Sequence, residues 1–173
     1  MDIKYIAEGE TEATFIEQMQ LMNNIPAGRK YKFNLMQAKL KQTNDILTKK
    51  CDRIYCVIDT DVAENINLIN LQYNLNTISK ICKAIIVLAQ WHNFEDELRY
   101  MANKSNLSVV FGQKFQGNAD LKKYLHQTVD YSKYQQSLLF TRYCNRSNKL
   151  IEIAAQNGIS FSKKIRFENS FIK

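Results

Sequence analysis

Two histidines in 173 residues leave few imidazoles for a zinc site, and the four cysteines, Cys51, Cys56, Cys82 and Cys144, show no close pairing of the zinc or redox-motif kind. They are expected to be reduced thiols, with Cys56, inside an apolar run, acting as a small buried hydrophobe. No apolar run reaches membrane-spanning length. The opening Met1-Asp2-Ile3-Lys4, soon followed by Glu8, Glu10 and Glu12, lacks the apolar stretch of a signal peptide. The expectation is a cytoplasmic chain without a membrane partner. The single proline and five glycines form no linker, and there is no repeat or low-complexity tract. A Gly-x-x-x-x-Gly-Lys-Thr/Ser loop is absent too, so no P-loop ATPase activity is expected within the chain.

What is present suits one compact domain. At 45% hydrophobic the chain can bury a core without disulfides or structural metal, and a second full domain is not expected. Lys and Arg number 24 against 17 Asp and Glu, a net charge of +7 with a sequence pI near 9.2. That excess admits polyanions, nucleic acid among them, as partners.

Strand and helix signals alternate through the first half. Residues 3–7 read as a buried strand and 11–23 as a helix, with Thr11 as its cap and Glu12 in its first turn. Residues 30–35 read as a second strand after a loop marked by Pro26 and Gly28, and 37–50 as a polar helix. The strongest strand is 53–59, backed by a helix over 64–82, and 84–89 is another apolar strand. This alternation predicts an α/β fold with a mainly parallel sheet flanked by helices. Beyond Phe94 the pattern turns helical over 94–102, 119–127, 132–139 and 146–156, and 159–167 alternates like a strand.

Two of these strands end in acids: Glu8 after the first, Asp59 and Asp61 after the strongest. Parallel strands would deliver them to the carboxyl edge of the sheet, where open α/β folds bind ligands. If the strand persists, Asp59 and Asp61 share a face about 6 to 7 Å apart. Hard oxygen donors favour Mg²⁺ or Mn²⁺ over zinc. Asp-x-Asp also reads as turn chemistry, and Glu8-Gly9-Glu10-Thr11-Glu12 as a charged loop with Gly9 permitting the turn. A third acid, Glu95, follows the next strand in Asn93-Phe94-Glu95-Asp96-Glu97, where helix initiation capped by Asn93 accounts for the acids equally well. His92 reads as a structural group.

The set Glu8-Gly9-Glu10-Thr11-Glu12, Val57-Ile58-Asp59-Thr60-Asp61 and Asn93-Phe94-Glu95 resembles the small Toprim domains of RloB-like proteins and OLD-family nucleases. The resemblance covers about residues 3–101. It implies a single Toprim-like domain with its core over about 1–111, and a helical extension and terminal strand over about 112–173. It further implies a divalent-metal site made by Glu8, Asp59 and Asp61, with Glu95 completing or flanking it. A Tyr-x-Lys element of some relatives corresponds to Tyr131-Ser132-Lys133. Such relatives act in bacterial defence against phage, often beside a separately encoded ATPase.

The expectation is therefore a Mg²⁺- or Mn²⁺-dependent nuclease acting on DNA or RNA. Glu10 or Glu12 would serve as a flanking ligand or general base, unless they only cap a helix. Lys133, Arg142 and Arg146 would neutralise substrate charge, unless they are ordinary solvated surface. Lys163, Lys164 and Arg166 would contact phosphates, or else guard a charged edge strand. Tyr124, Tyr131, Tyr134 and Tyr143 would stack on bases or pack helices. Two alternatives stand beside this one: a catalytically silent nucleic-acid- or partner-binding Toprim module, and another Mg²⁺-dependent phosphotransfer enzyme. The haloacid class of the latter expects an aspartate after the opening strand, where this chain has Glu8. A homo-oligomer stands among the expected partners, beside nucleic acid and a separate ATPase.

Overall fold

The structure, a computed structural model, describes residues 1–60, 68–90, 92–127, 129–138 and 147–171. Five parallel strands form one sheet in the order β2-β1-β3-β4-β5: β1 Ile3–Ala7, β2 Arg29–Lys32, β3 Cys51–Asp59, β4 Cys82–Gln90 and β5 Ile165–Glu168. The three central strands carry the apolar runs, as strands buried on both faces must. The edges are short and charged, Arg29-Lys30-Tyr31-Lys32 on one side and Ile165-Arg166-Phe167-Glu168 on the other, which discourages pairing with a foreign strand.

The pleat divides the core in two. Tyr5, Tyr55, Val57, Ile86 and Leu88 face α1 (Glu10–Leu21) and α3 (Phe94–Ala102), with Tyr5 and Tyr55 stacked at 5.1 Å. Ile6, Ile54, Cys56, Ile58, Ile85 and Val87 face α2 (Leu68–Ile78) and α6 (Ser147–Gln156). The short α4 (Ser108–Phe111), α5 (Asn118–Leu125) and a 3-10 turn over Tyr131–Tyr134 continue the first layer, since Phe111, Leu121, Leu125 and Tyr131 join its core. Gly28 is required where the chain enters β2: an added Cβ would lie 2.6 Å from the Ile3 carbonyl oxygen. Cys51, Cys56 and Cys82 are buried free thiols, and burial pushes Cys82 up to about 12; Cys144 lies outside the described residues. Among the described residues no helix is long and apolar enough to cross a membrane.

Several expected elements differ. The strand expected at 30–35 is Arg29–Lys32, and the one expected at 159–167 is only Ile165–Glu168. The helix expected at 64–82 is described from Leu68 and stops at Ile78, with Cys82 already in β4. That expected at 132–139 is a single 3-10 turn. Thr11 does not cap α1. Gly9 is the cap residue, and the Glu12 carboxylate reaches back to the Gly9 N–H, half of a capping box.

The largest departure is 37–50, where the only helical element is a 3-10 turn over Asp45–Leu47. Side chains take the backbone groups that a helix would have paired. Asn74 donates to the Leu35 and Ala38 carbonyls, both at 2.7 Å, and accepts from the Leu40 N–H at 2.7 Å. Asn70 donates to the Met36 carbonyl at 3.1 Å, and the fully buried Lys4 amine to those of Ile46 and Lys49 at 2.6 and 2.5 Å. Propensity yields here to tertiary hydrogen bonding.

Candidate metal and active site

From β1 the chain moves outward to β2, then crosses back to β3 on the other side of β1. The strand order therefore reverses between β1 and β3, and such a switch point opens a crevice at the carboxyl ends of the strands. α1 and α2, which follow the two strands, lie on opposite faces. Glu8 directly follows β1 and Asp59 ends β3, so the two acids flank this crevice. The Asp59 N–H donates to Glu8 Oε2 at 3.3 Å, and the Asn34 amide, just past β2, donates to Glu8 Oε1. At the end of β3, Thr60 Oγ1 donates to the Gln90 carbonyl at 2.7 Å and accepts from the His92 N–H at 3.0 Å, tying β3 to β4. His92 is held through this main-chain N–H, in the left-handed region with φ 56°.

A second pair of acids comes from the helix starts. Glu12 in α1 and Glu95 in α3 are both buried. Burial pushes the Glu12 carboxyl up, and the neighbouring Glu95 charge adds to the rise. Lys122 of α5 brings its amine to 4.0 Å from Glu95 Oε1. Tyr131, fully buried and edge-on to Phe15 at 5.0 Å, carries a hydroxyl without a hydrogen bond among the described residues. Burial raises its pKa, with further contributions from Tyr124, Glu12 and Glu95. Asn93 caps α3 as expected, its side chain accepting from the Asp96 N–H at 3.0 Å.

The expected site residues thus sort by place. The Glu8 carboxylate meets the Asp59 backbone, Glu95 joins Glu12, and Asp61 lies outside the described residues. Glu10 and Glu12 part company. Glu10 is exposed and paired with Lys32, which holds its carboxyl below the usual range, whereas Glu12 turns inward. Lys133 is exposed and 3.7 Å from Asp130; Arg142, Arg146 and Tyr143 lie outside the described residues. Lys163 and Lys164 precede β5 and so stand at the amino edge of the sheet, across from the acids; Lys164 donates to the Ser79 carbonyl at 3.1 Å. Arg166 is on the outer strand, 4.0 Å from Glu168. Tyr124 and Tyr134 pack on Phe111, and their hydroxyls meet at 3.3 Å, so they serve helix packing.

Asn34, Lys122 and the inward choice of Glu12 were not singled out from sequence. The signal for Glu12 was there: Glu12, Phe15, Ile16 and Met19 follow the i, i+3, i+4, i+7 spacing of one buried helix face. Among the described residues no three acids, histidines or cysteines gather to hold a metal by themselves. Glu8 and Asp59 supply two hard oxygen donors, a set that suits Mg²⁺ or Mn²⁺. No protein-family model, curated protein or solved structure matches this chain.

Proposed function

We propose that the chain is a Toprim-type nuclease, resembling RloB-like and OLD-family proteins, that hydrolyses phosphodiesters of DNA or RNA. Mg²⁺ or Mn²⁺ would be held by Glu8 and Asp59 and, from its place in the Asp-x-Asp motif, by Asp61. The observation that carries this reading is the Asp59 N–H bonded to Glu8 across the β1/β3 switch point. Glu8 and Asp59 stand at the carboxyl ends of adjacent strands beside this crevice, and a divalent cation would neutralise acids gathered there.

When bound, the cation supplies polarisation of a phosphoryl oxygen and acidification of water. The chain's own groups do the rest. Asn34 and the Asp59 N–H orient the Glu8 carboxylate. Glu12, with its carboxyl pushed up, is suited to take the proton of the attacking water or return one to the leaving oxygen. Lys122 places positive charge beside Glu95 at the same edge of the sheet. An anti-phage role in the cytoplasm, with a separate ATPase partner, belongs to this proposal through the family resemblance.

The test is cleavage of mixed DNA and RNA substrates with Mg²⁺, with Mn²⁺ and with chelator. Cleavage that requires the cation is expected. Binding of nucleic acid without turnover under all three conditions would replace the nuclease by a silent binding module.

A further inference from the structure

Asn34 stands just past β2, and both ends of its carboxamide are committed. Its Oδ1 accepts from the N–H groups of Met36 at 3.0 Å and Gln37 at 2.9 Å, and its Nδ2 donates to Glu8 Oε1. Two backbone donors on the oxygen fix which end of the amide faces Glu8. A flip would turn an NH₂ group against two N–H groups and leave the carbonyl facing a carboxylate. The other Glu8 oxygen accepts from the Asp59 N–H, so donors from both neighbouring strands define the carboxylate plane.

The turn carrying Asn34 is itself anchored. Asn70 and Asn74 of α2 bind the Leu35, Met36 and Ala38 carbonyls directly after it. Asn34 therefore presents its NH₂ from a held backbone. Groups that hydrogen-bond a ligating carboxylate set its orientation, and their loss typically weakens metal binding about 10- to 100-fold.

We infer that Asn34 is a positioning residue of the cation site: it holds the Glu8 carboxylate in place, so divalent-cation affinity depends on Asn34 through Glu8. This rests on the reading of Glu8 and Asp59 as metal ligands.

The test is a double-mutant cycle read by Mn²⁺ affinity, from the free-Mn²⁺ signal in electron paramagnetic resonance, on the full chain. The proteins are wild type, Asn34→Ser, Glu8→Ala and the double variant, each with wild-type circular dichroism. Serine keeps a short acceptor for the turn but cannot reach Glu8. Asn34→Thr takes its place should the serine variant not fold. The expected result is a loss of about tenfold or more for Asn34→Ser, with the double variant no weaker than Glu8→Ala alone. Wild-type affinity in Asn34→Ser, or losses that multiply in the double variant, would overturn the positioning role. Wild-type affinity in Glu8→Ala would instead overturn the metal-site reading beneath it.

Discussion

At the scale of single residues, Glu12 and Glu10 show how one helical turn separates two acids. Glu10 is solvated and salt-bridged, while Glu12 lies under the sheet edge beside Glu95 with its carboxyl pushed up by burial. The folded-state value of Glu12 is thus above its unfolded one. The stability associated with its protonated form is fully present below the ordinary glutamate range and is lost as pH rises through the raised value. In cation-free buffer, Glu12→Gln is expected to raise the urea midpoint at neutral pH and to flatten that part of the pH dependence. An unchanged midpoint and slope would mean that the Glu12 carboxylate is not strained by burial. Glu8 and Asp59 were legible because an acid directly after an apolar strand is a positional signal. Asn34 was not, because a single asparagine between Phe33 and Leu35 reads the same whether it turns the chain or orients a carboxylate.

At the scale of elements, residues 37–50 are the instructive segment. Their composition reads as a polar helix, yet buried asparagines on α2 and the amine of Lys4 collect backbone groups in and just before it. Removing the Asn74 side chain leaves the Leu40 N–H and the Leu35 and Ala38 carbonyls without these bonds. Asn74→Ala is expected to cost about 3 kcal/mol in denaturant unfolding and to raise hydrogen exchange at Leu40 above that of β1. A cost within experimental error would show that the segment holds without α2. β1, β3, β4 and α3 were legible because each carries its own period or apolar run. The segment from 37 to 50 was not, because its conformation depends on partners 30 to 40 residues away in sequence.

At the scale of the whole molecule, the parallel α/β sheet was legible from the alternation of strands and helices, but its strand order was not, since edge positions depend on crossovers. That order decides which charges face the acids. Lys163 and Lys164 share a sheet with Glu8 but stand at its other end, whereas Lys122, 57% exposed, reaches Glu95. If substrate phosphates seat over the carboxyl edge, Lys122→Ala is expected to weaken nucleic-acid binding and to reduce its salt slope by about 1. Changing Lys163 and Lys164 together to Gln is expected to leave the cleavage rate unchanged; the reverse pattern in filter binding and cleavage would place the substrate at the amino edge.

The proposed function makes Glu8 and Asp59 a cation-dependent hydrolytic site. Its most direct test is cleavage of DNA and RNA with Mg²⁺ or Mn²⁺ by the wild-type chain beside folded Glu8→Ala and Asp59→Ala proteins. The expected result is metal-dependent cleavage by the wild type and loss of at least a hundredfold, about 3 kcal/mol of barrier, in each variant. Equal cleavage by all three proteins would rule that site out.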